Sequence, residues 1–172
     1  MIMYIGGTCF NDSKPHTTMV ARIQNLYLFL AGLLAVASMF FPFWSFSAGH
    51  LFLVSDFCAS EFAEIQYSVA SSAGGIFSIM TAIISIAAIF LYKNRVLQSK
   101  FILLAILLFV ADLFSGLTAA HFMNQHFESI RAVITHRPEA GFFIILPEPV
   151  LLMLALKGVK KDDKIANAYK RL

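Results

Sequence analysis

Along the chain, apolar positions gather into four long runs separated by shorter polar connections. The first extends from Leu26 to Phe46 and the second from about Ser71 to Tyr92, and neither contains a charged residue. The third, Phe101 to His121, holds one acid, Asp112; the fourth, Ala140 to Leu156, holds Glu148 between Pro147 and Pro149. A hydrocarbon layer of about 30 Å needs about 20 helical residues to cross it, with about 17 as a lower limit. All four runs reach that length. The pattern therefore predicts an all-α integral membrane protein, a four-helix transmembrane bundle with helices at about 26–46, 71–92, 101–121 and 140–156. Residues 19–156 form that domain and 157–172 a basic tail. The leader, 1–18, mixes Gly, Asn, Asp, Ser and Pro and gives no reason to expect stable structure, and Met19 is itself a candidate start.

The charges orient the bundle, because connections rich in Lys and Arg stay in the cytoplasm. Lys14 and Arg22 precede the first run, Lys93, Arg95 and Lys100 separate the second from the third, and six basic residues follow the fourth. Of the 13 Lys and Arg residues, only Arg131 and Arg137 fall in an alternate connection. The connection from Ser47 to Ala70 has only the acids Asp56, Glu61 and Glu64. Both termini are expected in the cytoplasm.

Composition agrees, with 59% hydrophobic and 13% charged residues and a mean hydropathy of +0.76, against about half apolar and a quarter charged in soluble domains. An isoelectric point near 9.0 would suit nucleic acid. The basic residues, however, stand at membrane edges, where they set orientation and meet anionic head groups, so nucleic acid is not an expected partner. A cleaved signal peptide is not expected, since the first run ends in Phe40, Phe41, Phe43 and Trp44 rather than small residues.

Helix association in lipid relies on small residues and interhelical hydrogen bonds. Ala31, Ala35 and Ser38 supply such a stripe in the first helix, Ser78, Thr81, Ser85 and Ala88 in the second, and Asp112, Ser115, Gly116 and Ala119 in the third. The connection 47–70 opens with Leu51, Phe52, Leu53 and Val54, which fits an interfacial helix or a short strand pair equally. Trp44, Phe46 and Tyr67 suit an outer aromatic belt. In the tail, Ile165, Tyr169 and Leu172 share one side of a helix, which fits a segment on the lipid surface or a partner-docking helix. Lys157, Lys160, Lys161 and Lys164 are its expected lipid head-group contacts.

A carboxylate deep in the bilayer is costly and calls for a reason. At about 1.5 Å per residue, Asp112 stands roughly 16 Å and Glu148 roughly 12 Å from the inner edge, nearly level with each other. No Lys or Arg lies within a run to neutralise them. Asp112 and Glu148 are thus the candidate site, read either as a proton or cation site beside a proline-broken helix or as neutral acids that fix packing by bonding a hydroxyl or carbonyl. For Glu148, a position nearer the outer surface remains a further reading. His121, His126 and His136 lack helical metal-pair spacing. No nucleophile elbow or phosphate-binding glycine loop is present, so no catalytic residue, metal or cofactor is expected.

The stretch Ala21-Arg22-Ile23-Gln24-Asn25-Leu26-Tyr27-Leu28, the Phe40-Phe41-Pro42-Phe43-Trp44 run, and the tail Lys160-Lys161-Asp162-Asp163-Lys164-Ile165 with Lys170-Arg171-Leu172 resemble a bacterial membrane family, domain of unknown function 4293, found chiefly in the Bacteroidetes group. The resemblance covers about Met19 to Leu172 and implies a four-helix membrane architecture without an assigned activity. Pro147 matches a family proline near the start of helix four, whereas Glu148 and Pro149 depart from its apolar continuation. The expected role is a non-catalytic subunit or scaffold held against another membrane protein or a second copy. The alternative is a proton-coupled transporter or channel component using Asp112 and Glu148. The orientation has a direct test: in intact cells, a membrane-impermeant thiol reagent is expected to label Cys58 and spare Cys9, and the reverse pattern would invert the topology.

Overall fold

A computed structural model describes residues 16–47, 50–57, 65–130 and 134–169, with the side chains of the first helix described from Ile23 onward and Tyr169 in backbone only. Residues 1–15 of the leader, both cysteines, Glu61, Glu64, Arg131 and the terminal Lys170-Arg171-Leu172 lie outside the described residues. The molecule is mostly helical. Its helices are α1 (His16–Ser38), α2 (Ile65–Phe90), α3 (Arg95–Ser129), α4 (Ala140–Ile145) and α5 (Glu148–Tyr169). Three stretches are long and apolar enough to cross a membrane: Ile65–Lys93, Arg95–Ser129 and Ala140–Ala168. In α1 the apolar part with described side chains, Ile23–Ser38, is shorter.

The four long helices form a ring in which α1 touches α2 and α5, and α3 touches the same two. The small-residue stripes face into it. Ala31, Ala35, Ser78, Thr81, Ser85, Ala88 and Ala119 are almost wholly buried, while Ile76, Ile83, Leu103, Leu107 and Phe114 point outward. After α2 a single 3-10 turn, Leu91–Lys93, leads to Asn94, whose side chain accepts a hydrogen bond from Leu97 N at 3.1 Å and caps α3. At 35 residues, α3 is about 52 Å long, well beyond the expected 101–121.

The first helix ends at Ser38, not Phe46. Pro42 has no amide hydrogen to donate and disfavours a helical conformation at Phe41, and the aromatic residues that follow suit a strand. Trp44–Ser47 is β1, the centre of a three-stranded antiparallel sheet ordered β2-β1-β3, with β2 at Leu51–Val54 and β3 at Thr135–Pro138. The purely α reading is corrected by this cap, and of the two readings of the 47–70 connection the strand pair is the one formed. Pro138 stands on an edge strand, where a missing donor is tolerated. Nor do Phe46 and Tyr67 face an aromatic belt: both are buried with Val54, Ala120, Met123 and Phe127 between the sheet and the ends of α2 and α3.

The fourth run is also divided. A break at Leu146 and Pro147 separates α4 from α5, and α5 then continues through the expected tail to Tyr169 as one helix. The tail is not a separate surface segment, since Val159 is fully buried among Leu28, Ile102 and Ala155. Gly141 at the start of α4 sits against the turn after α1: its amide donates to Pro42 O at 3.0 Å, and an added Cβ would stand 2.6 Å from Phe41 O and 2.8 Å from Pro42 O. Because those neighbours are backbone, Gly141→Ala is expected to destabilise the protein by about 1–3 kcal/mol, as overpacking does. Thermal unfolding in detergent measures it, with unchanged melting counting against this packing.

Candidate functional site

The ring brings Asp112 and Glu148 together. Asp112 is 8% exposed and accepts a 2.6 Å hydrogen bond from Ser78 Oγ across the α2–α3 contact. Glu148, at the first position of α5, is 1% exposed, close enough to Asp112 for their charges to interact. Its Oε1 has no hydrogen-bond partner. Among the described residues the ion pair Arg137–Glu139 lies elsewhere, in the cap, and neither buried acid has a cation partner there.

A third acid, absent from the expected set, joins them from the cap. Asp56 follows β2, and its Oδ1 and that of Asp112 lie 3.2 and 3.4 Å from where a Cβ on Gly74 would stand. Two consecutive glycines in mid-helix, Gly74 and Gly75, leave the surface of α2 bare, and residues 55–57 lie on it. Ser71 Oγ donates to Ser55 O at 2.8 Å. Phe57 adopts a left-handed φ of 58° and its ring covers Gly75, where an added Cβ would stand 2.2 Å from Cε2. Ser115 Oγ, on α3, donates to Ala70 O at 2.7 Å and holds α3 to the same stretch. A cavity of about 20 Å3, lined among others by Ser38, Asp56, Ser78 and Asp112, lies between these groups. It is large enough for one water. The glycine pair was the available sequence signal for Asp56, since glycine inside a helix marks a close approach.

The arrangement sets Asp56 and Asp112 at one small cavity, with Glu148 within range of the Asp112 charge. Among the described residues no three His, Cys, Asp or Glu side chains converge closely enough to bind a metal ion. His121 and His136 line one groove beside Trp44 and Asn124, while His126 packs on Phe127. Lys157, Lys160, Lys161 and Lys164 are exposed along α5 beyond Glu148.

A second polar contact closes the other end of the ring. Gln24, buried on α1, donates through Nε2 to Asp162 Oδ2 on α5 at 3.0 Å. Arg95, at the start of α3, donates through Nη1 to the carbonyl of Asp162. Gly158 makes room, because a Cβ there would stand 2.6 Å from Gln24 Cγ. One residue of α5 thus holds both α1 and α3. The model of the family described as Domain of unknown function (DUF4293) matches residues 20–172. The chain belongs to that family. Two of the stretches that carried the resemblance, Arg22-Ile23-Gln24 and Lys160-Lys161-Asp162-Asp163, meet in this clasp of the DUF4293 chain. Comparison with curated proteins and with solved structures gives no match.

Burial pushes the Asp56 carboxyl up to about 6. The folded chain therefore binds this proton more tightly than the unfolded one. The stabilisation is complete below the ordinary value of 3.8 and is lost as pH rises through about 6. Melting temperature in detergent is expected to fall between pH 4 and 7, and Asp56→Asn, which keeps the shape without the charge, to flatten that fall. An unaltered pH profile in the variant would show that Asp56 is not its source.

Proposed function

We propose that this chain is a multi-pass protein of the bacterial inner membrane, a four-helix transmembrane bundle with both termini in the cytoplasm, that serves as a non-catalytic subunit or scaffold of a membrane assembly. The observation that carries this reading is the filled interior between the carboxyl cluster and the clasp. Leu28, Ala31, Ala88, Ile102, Ala105, Leu152, Ala155 and Val159 are all 0% exposed, so the described residues of one copy fill the space between the helices here. The outward faces of α2 and α3 are apolar over most of their length, a surface suited to lipid, to another membrane protein or to a second copy. Lys157, Lys160, Lys161 and Lys164 meet anionic head groups in this reading. Neither a cofactor nor nucleic acid takes part.

The second reading, a proton-coupled transporter or channel component, draws on Glu148, whose buried Oε1 lacks a partner beside Asp112. Such a group is ready to exchange a proton. Purification of a C-terminally tagged copy in mild detergent, with mass spectrometry and a mass for the complex, is expected to return a stoichiometric membrane partner. A lone monomer would overturn the subunit reading. In reconstituted vesicles, the pair Asp112→Asn and Glu148→Gln is expected to leave assembly intact. Proton flux in the wild type that this pair abolishes would establish the transporter instead.

A further inference from the structure

Residues 55–57 form a strap from the end of β2 across the glycine face of α2, over the cavity that contains Asp112. The holds on it are few. Among the described contacts they are the Ser71 hydrogen bond to Ser55 O and the seat of the Phe57 ring on Gly75, with Phe57 kept in a left-handed conformation that a bulky residue rarely adopts. Between those holds, Asp56 is pressed towards Asp112.

From this geometry we propose that the strap is a pH-operated latch: it lies closed while Asp56 and Asp112 carry at least one proton between them, and lifts from α2 when both are ionised. Lifting opens the cavity of Asp112 and Ser78 to water from the cap side.

Among the described residues around the strap, none carries a positive charge that would offset the repulsion. From α3 it meets Asp112, and from α5 the charge of Glu148 reaches Asp112. From α2, Ser71, Gly74 and Gly75 lie under it and Ser78 lines the cavity beside Asp112, while the turn after α1 and α4 line the same cavity with Phe41, Phe43, Gly141 and Ile145. Among the described residues, no Lys, Arg or His lines the cavity. Two like charges in a poorly hydrated site repel more strongly than in water, and opening lets water solvate both. The raised value of Asp56, about 6, puts its titration in a range that a bacterial surface encounters. The latch is independent of the topology proposed above; that it answers to pH outside the cell rests on that topology.

The test is hydrogen exchange of the amides of residues 55–57 in the full chain in lipid nanodiscs, at pH 5 and pH 8, corrected for the intrinsic pH dependence of exchange. The wild type is expected to exchange at least tenfold faster at pH 8. Asp56→Asn and Asp112→Asn, each of which removes one charge of the pair, are expected to stay slow at both values. Gly75→Leu, which denies Phe57 its seat, should be fast at both. Equal corrected rates in the wild type at the two values, or opening with pH in either Asn variant as in the wild type, would overturn the latch. Sealed vesicles with only one face acidified separate the two readings. A response to the face carrying the tail rather than the cap would refute the topology and leave the latch standing.

Discussion

Helix α2 can be approached closely because its inward face is built from residues with almost no side chain, and the placing of the other elements follows from that. Apart from Tyr67 and Ile84, its buried positions are Ala70, Ser71, Gly74, Gly75, Ser78, Thr81, Ala82, Ser85 and Ala88. Where lipid replaces water, apolar surface alone does little to join helices, and close packing with a few hydrogen bonds takes its place. Along α2 two of those bonds come from its own hydroxyls, Ser71 holding the strap and Ser78 holding Asp112, and Ser115 of α3 donates a third to Ala70 O. A larger residue at Gly75 would displace the Phe57 ring, and one at Gly74 would crowd Asp56 and Asp112.

Most of the helical part was legible in the sequence because its signal is local. Apolar runs of about twenty residues, and small residues every three or four positions, mark spans and contact faces without reference to the rest of the chain. The ends were less legible. The apolar run continues from Leu26 to Phe46, but the backbone changes state at Pro42, and hydropathy does not register a missing amide hydrogen. The third strand, Thr135–Pro138, is polar and pairs with a segment some ninety residues earlier, so no periodicity announced it. The sheet lets Phe46 and Tyr67 be buried where their aromatic character alone suggested a lipid boundary.

The candidate site divides in the same way. Asp112 and Glu148 stood out because a charge in an apolar run is conspicuous, and estimating their depth from the inner edge placed them nearly level. Asp56 did not stand out, since an acid in a polar connection is ordinary and its descent onto α2 depends on the fold of the cap. Gln24 and Asp162 were visible only as parts of a family resemblance. Their hydrogen bond, across 138 residues of sequence, gives that resemblance a physical basis.

The clasp also bears on the order in which the molecule is made. Helices α1, α2 and α3 leave the ribosome before α5, and until α5 arrives the Gln24 amide and the Arg95 guanidinium have no Asp162 to meet. During that interval the ring has an open side, which closes when the last helix docks and both bonds to Asp162 form.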